Sequence, residues 1–418
     1  MRHLLVCLAL ILVAPLPVSA QYLLIPMDER QSDHLRAYGL TYWVLQQGHT
    51  AEWLLNYRAG SFLLPDRPEV RREAGLRGVS FEERSVVQVA EIRATIAEEN
   101  MESVILEKAP EIAVYTPPDS PPWDDAVTLA LTYADIPYVP VWDREVLQGR
   151  LSEYDWLHLH HEDFTGQYSK FYVAYANEPW LKEQVRVNEA MAQEFGKANV
   201  PELKKSVAEE IRRYVADGGF LFAMCTATET LELALAADGI DIAAPFADGT
   251  PIDPDATAKL KWNRTMAFRD GQLQMNPSIN AFSDIDGHQV NTTRRQPLGA
   301  FTLFDFSAKF DPVPSMLVQN HENVIRDFYG LTTSFRRERL KPGVIVLAEE
   351  EGAPWVKYIH GTFGKGTWTF LGGHDPEDPQ HQIGAAPTDL SLHTHSPGYR
   401  LILNNVLFPA ARKKTLKT

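Results

Sequence analysis

Cysteine is nearly absent from this chain of 418 residues, which has only Cys7 and Cys225. Cys7 falls in an N-terminal segment that reads as removable, so Cys225 would remain as a lone thiol. An internal disulfide framework is thereby excluded. A lone thiol is an oxidation liability, so it is either buried and inert or kept for its chemistry. Apolar runs are short too. No stretch after the N-terminal segment approaches the ~18 residues that a membrane-spanning helix needs. Basic charge is in deficit: 40 Lys and Arg face 55 Asp and Glu, a net charge of −15. That balance argues against sequence-independent nucleic-acid binding. There is no HExxH and no Cys-x-x-Cys spacing, no repeat at a fixed period, and no Pro- or Ser-rich linker. With 44% hydrophobic and 23% charged residues, the remaining expectation is an ordinary globular chain.

The first twenty residues read as an address. Met1-Arg2-His3 is a basic start, Leu4 to Ala14 an apolar run, and Val18-Ser19-Ala20 a small-residue cleavage site. Cleavage after Ala20 predicts an exported protein, periplasmic or extracellular, with no membrane attachment afterwards. Residues 21–411 read as a single α/β domain, and the basic tail 412–418 as a frayed end.

Strand and helix signals alternate along the N-terminal half. Strands are expected at Tyr22 to Pro26, Ala51 to Leu55, Ile112 to Thr116, Pro137 to Val141 and Trp156 to His160. Helices are expected over 32–47, 85–100 and 124–135. Pro201 to Ala216 is a longer amphipathic helix that Gly218-Gly219 ends, and Phe220 to Met224 is a buried strand. This rhythm predicts a doubly wound, mostly parallel sheet with helices on both faces. Residues 239–341 are loop-rich and read as an insertion or cap. Val344 to Ala348 and Val356 to Ile359 read as strands, Gly364-Lys365-Gly366 as the turn of a late β-hairpin, and Ser396 to Phe408 as a closing helix.

The strongest constellation is Gly218 to Leu231, which runs strand, Cys225, helix. Thr226 and Glu229 have capping-box spacing, so a helix would begin directly after Cys225. A thiol there faces unpaired backbone N–H groups and a positive dipole end, both of which favour thiolate. It also sits at the carboxyl end of a strand, where open α/β sheets bind ligands. A base and an orienting acid are available in Gly372-Gly373-His374-Asp375-Pro376-Glu377-Asp378. The bland alternative for that run is a polar turn after a strand. A second cluster is Trp156 to Gly166, with His158 and His160 on one strand face and His161 on the other. With His374, His381, His393 and His395 it gathers many imidazoles near strand ends. His160, His161, Glu162 and Thr226 are expected to bind substrate. A metal-dependent hydrolase using residues 158–163 is an alternative. No cofactor or metal is expected on the leading reading.

A strand ending in Cys225, a helix after it and a late hairpin ending in His374 with a nearby acid resemble the class I glutamine amidotransferase-like superfamily, of flavodoxin-like α/β architecture. That family usually flanks its cysteine with glycines and carries a His-Pro-Glu run; here Ala223 and Ala227 flank Cys225, and Asp375 intervenes in the run to Glu377. The resemblance implies a nucleophile elbow at Cys225, His374 as base, and Glu377 or Asp375 as orienting acid. It implies hydrolysis of a carbon–nitrogen amide bond in a small-molecule or peptide-like substrate. A non-catalytic ligand-binding module on the same fold is the alternative. The runs Leu24 to Glu29, Asp33 to Leu40 and Trp53 to Arg58 are also similar to a group of exported bacterial proteins often labelled asparagine synthetase B. The ATP-binding Ser-Gly-Gly-x-Asp-Ser loop of a true asparagine synthetase is not in this sequence.

Overall fold

A computed structural model describes residues 21–118, 125–277, 279–287, 299–317, 322–379 and 385–411. The expected signal segment, the basic tail and His381 lie outside the described residues. The first sheet comprises β1 (Tyr22–Ile25), β2 (Ala51–Leu55), β3 (Ser61–Pro65), β4 (Glu82–Arg84) and β5 (Glu102–Leu106), in the order β4-β1-β3-β2-β5. Its pairings are all antiparallel. Only residues 56–60 join β2 to β3, a span too short for the crossover that a parallel pair requires. The helix His34–Gln46 starts where Asp33 accepts a hydrogen bond from the Arg36 N–H. The helix Val86–Glu98 starts at a Ser85/Gln88 capping box.

The second sheet begins with β6 (Ile112–Tyr115), β7 (Val139–Val141), β8 (Trp156–Leu159) and β9 (Phe220–Met224). It continues with β10 (Ala300–Leu303), β11 (Val324–Arg326), β12 (Phe335–Arg336), β13 (Ile345–Glu350), β14 (Trp355–Phe363) and β15 (Gly366–Leu371). The order is β11-β10-β13-β14-β15-β9-β8-β6-β7, with β12 beside β14. Parallel pairing is confined to β7-β6-β8-β9-β15. The protein is therefore mixed α/β, and most of its strand pairs are antiparallel. This corrects the expectation of a mostly parallel sheet. An alternation of strand and helix signals cannot distinguish a crossover from a hairpin with a helix after it, and residues 22–106 are of the second kind. Residues 239–341, expected as a loop-rich insertion or cap, also hold strands that the sequence does not signal. Strands β10, β11 and β12 lie in that stretch and extend the sheet; at two to four residues each they are too short to show a period.

Helices cover both faces of the parallel strands. On one face Trp156, Phe222 and Met224 pack with Leu401, Ile402 and Val406 of the helix Pro397–Leu407, in a core that continues to Trp53 and Phe62 of the first sheet. On the other face Leu157, Leu221 and Ala223 pack with Val207, Ile211 and Val215 of the helix Val200–Asp217. The alternation along β8 and β9 has the period of two that a pleated strand imposes. Gly219 allows the tight return into β9, because a Cβ there would come within 2.2 Å of the Tyr214 ring.

Buried polar contacts fix how the 239–341 stretch sits. On β14, Lys357 Nζ lies 2.6 Å from Asp327 Oδ1, and both side chains are inaccessible. Lys357 also donates to the Phe328 carbonyl at 2.7 Å. The segment after β11 then runs along the end of β15, where the Gly373 N–H donates to Thr332 O and the His374 N–H to Tyr329 O. Deeper in, Glu229 accepts hydrogen bonds from Ser283 Oγ at 2.5 Å and Thr332 Oγ1 at 3.1 Å. Burial, with the Asp286 charge beside it, pushes the Glu229 carboxyl up to about 8 despite those two hydrogen bonds.

Two outcomes follow from these contacts. Asp327→Ala strands a buried ammonium and should lower unfolding stability by about 3–5 kcal/mol, read by urea titration; a loss under about 1 kcal/mol would remove the ion pair as the anchor. For Glu229 the folded pKa exceeds the unfolded one. Between about 4.5 and about 8 the unfolded chain releases this proton while the folded chain keeps it, so the contribution to stability falls as pH rises. Glu229→Gln should therefore raise the melting temperature relative to the parent by an amount that grows over that window and levels off above it. A pH-independent difference would contradict this.

Candidate active site

Strand β9 passes into the helix Cys225–Ala236 with no loop between them. Cys225 is the hinge, with φ = +51°, a left-handed conformation that residues bearing a Cβ seldom adopt. The expected Thr226/Glu229 capping box is not formed. Met224 is the N-cap, with no side-chain cap, two residues before the N-cap that the Thr226/Glu229 spacing suggested. Glu229 turns to Ser283 and Thr332, and Thr226 Oγ1 lies 3.7 Å from the Cys225 sulfur.

Cys225 is 2% exposed. The Leu331 N–H donates to Sγ at 3.3 Å. Gly330 lies so close that a Cβ there would be 2.8 Å from the sulfur. Burial pushes the thiol up, against the hydrogen bonds from the Leu331 N–H, the Thr226 hydroxyl and the Thr226 and Thr332 amides. The expectation of a thiolate favoured by the helix end is thus corrected: desolvation outweighs those donors. The same packing shows that the 239–341 stretch covers the cysteine.

Two imidazoles stand beside the sulfur, and a third packs against them. A ring nitrogen of His160, one of His161 and Cys225 Sγ all lie within 4.8 Å of one another. The His160 and His161 rings stack at 4.1 Å with 9° between their planes. The His374 ring centroid is 4.6 Å from that of His160 and 4.7 Å from that of His161. His161 was expected on the opposite face from His160. Strand β8 ends at Leu159, so strict alternation stops before that pair is reached.

The acid behind this group is Asp125. Its Oδ1 is 3.2 Å from His160 Nδ1, and its Oδ2 is 3.2 Å from His158 Nε2. The other nitrogen of the His158 ring lies 3.1 Å from the Phe222 carbonyl. Oδ1 also accepts from the Val127 and Thr128 N–H groups at 2.7 and 3.1 Å, capping the helix Ala126–Tyr133. Burial alone would raise the Asp125 carboxyl, but His158 and His160 hold it well below the carboxylate range. His160 is 1% exposed, and its Nε2 meets no hydrogen-bond partner among the described residues. In the sequence Asp125 signals only a helix start.

The acids expected beside His374 are engaged elsewhere. Asp375 accepts from the Glu377 and Asp378 N–H groups and from Thr388 Oγ1. Glu377 pairs with His393 at 3.0 Å. His395 packs edge-on against His34, and its Nε2 lies 2.7 Å from the Gln31 carbonyl.

A cavity reaches the cluster at His161. Its wall includes Glu162, Asp163, Tyr168, Asn188 and Lys204. Glu162 accepts from the His160 N–H at 3.1 Å, and burial pushes its carboxyl up to about 7. The wall carries an unusual turn in which Tyr168, Ser169 and Lys170 all have φ between +52° and +58°. Each such residue costs about 1–2 kcal/mol. The Asp163 carboxylate offsets part of this by accepting from the Thr165, Gln167 and Ser169 N–H groups at 2.8–3.0 Å.

No protein-family model and no curated protein matches the sequence. Among solved structures, a cytoplasmic protein from Salmonella typhimurium is similar at 12% identity and a TM-score of 0.34, over 75% of this chain and 91% of its own. A second, from Salmonella typhimurium LT2, is similar at 12% identity and a TM-score of 0.33, over 69% of this chain and 89% of its own. Both bear the name cytoplasmic protein, which runs against the export expected from the first twenty residues. That expectation is withdrawn.

Proposed function

We propose that this chain is a cysteine-dependent hydrolase of carbon–nitrogen amide bonds, on a doubly wound framework of the glutamine amidotransferase-like kind. The observation that carries the reading is the alignment of Cys225, His160 and Asp125, with the cysteine held at φ = +51° between a strand and a helix. The order β7-β6-β8-β9-β15 supports the framework: numbered along the chain these five parallel strands run 2-1-3-4-5, the flavodoxin-like order. Cys225 lies at their carboxyl edge.

In this reading His160 takes the Sγ proton as the sulfur attacks the amide carbonyl carbon. Asp125 orients the imidazole and stabilises its charged form. Collapse of the tetrahedral adduct breaks the C–N bond, and the amine leaves with the proton from His160. Water then attacks the thioester, giving its proton to His160 and restoring the thiol as the acid departs. In this reading the Leu331, Thr226 and Thr332 amides that donate toward the sulfur would turn to the oxyanion as it forms. His374 flanks the base, and His161 and Glu162 border the cavity through which a small or peptide-like amide would enter. A ligand-binding module without catalysis is the second reading, favoured by the closure of Gly330 and Leu331 over the sulfur.

A chloromethyl ketone probe decides between them. One covalent adduct is expected on Cys225 of the folded chain, none in Cys225→Ala, and a rate lower by about 10²–10⁴-fold in His160→Ala. Asp125→Asn should slow hydrolysis of a responsive amide without changing adduct position. If folded protein resists the probe while denatured protein reacts, the hydrolytic reading fails and the binding module stands.

A further inference from the structure

We infer that Cys225, His160 and His161 form a binding site for a thiophilic divalent cation, zinc by donor set. The inference does not depend on hydrolysis, because it uses only the donors and their spacing. One thiol sulfur and two imidazole nitrogens converge within 4.8 Å of one another. Around tetrahedral zinc such donors are about 3.3–3.6 Å apart, from Zn–S near 2.3 Å and Zn–N near 2.0–2.1 Å. Small rotations of the two rings would bring them in. Sulfur with imidazole is the set that selects zinc over magnesium or calcium.

A second observation points the same way. His160 Nε2 is buried and has no hydrogen-bond partner among the described residues, an arrangement that a bound cation would satisfy. The opposite nitrogen of that ring faces Asp125 Oδ1 at 3.2 Å. A carboxylate behind a histidine fixes its tautomer and raises its basicity as a metal ligand. His374, tilted against His160 and stacked on His161, is the next imidazole to this donor set. Loading releases the Sγ proton to solvent and leaves a thiolate bound to the metal. Bound zinc would therefore occupy the sulfur that amide attack requires.

The test uses the full chain, stripped with a chelator and then dialysed against zinc chloride or cobalt chloride. One equivalent of zinc per chain should be retained, and cobalt should give a thiolate-to-cobalt charge-transfer band. Cys225→Ser should abolish the band, while Cys7→Ser should leave it unchanged. His161→Ala should weaken binding at least tenfold, and Asp125→Asn by about 10–100-fold. Retention well below one equivalent, or a cobalt complex without the thiolate band, would overturn the inference. The parent chain decides this even if a variant fails to fold. Since no turnover is measured, absence of an amidase leaves this result intact. Failure to bind metal likewise leaves the chloromethyl ketone result intact.

Discussion

The joint between β9 and the helix Cys225–Ala236 is the constraint on which the site depends. A strand that becomes a helix with no intervening loop must reverse direction at one residue, and that residue takes φ = +51°. The left-handed conformation costs about 1–2 kcal/mol for a residue with a Cβ. Packing on every side sustains it. The helix that begins there is inaccessible along its whole length, and the Ala227 N–H donates to the His160 carbonyl at 3.0 Å. That bond ties the end of β8 to the start of the helix. The cysteine and its nearest imidazoles are therefore placed by one backbone junction and are not carried on independent loops.

Asp125 is the second economy of the site. A single carboxylate caps the helix Ala126–Tyr133 and faces the rings of His158 and His160. Helix N–H groups and imidazoles both favour its ionised form, so its charge survives burial. The anion in turn fixes the tautomer and orientation of the imidazole it faces, whether the opposite nitrogen accepts a proton or holds a metal. Nucleophilic catalysis and metal ligation both use a carboxylate–histidine–sulfur sequence. The same geometry therefore supports two chemistries, and they compete for one sulfur atom.

Local elements were legible in the sequence, and their assembly was not. Phe220–Met224 emerged with its expected bounds because a glycine pair, an apolar run and a helix start bracket it. The hairpin of β14 and β15 followed from Gly364-Lys365-Gly366. The fate of Tyr22 to Leu106 was hidden, since strand and helix signals carry no pairing direction. The cysteine and the histidines of the site were visible as residue types at strand ends. Asp125 was not, because its link to β8 spans 33 and 35 positions of sequence to His158 and His160 and has no local period. Gly330 and Leu331 were hidden for the same reason: nothing around them marks contact with Cys225.

The contact between Gly330 and the sulfur has a consequence for sequence evolution. A Cβ at 330 would come 2.8 Å from Sγ, so the two positions share one small volume. Position 330 can acquire a side chain only if position 225 gives up bulk or the covering segment moves away. Size at these two sites should vary reciprocally among chains of this architecture. The residue at 330 would then report whether a thiol-sized group is still accommodated at the head of the helix, even though it lies 105 positions away in the chain.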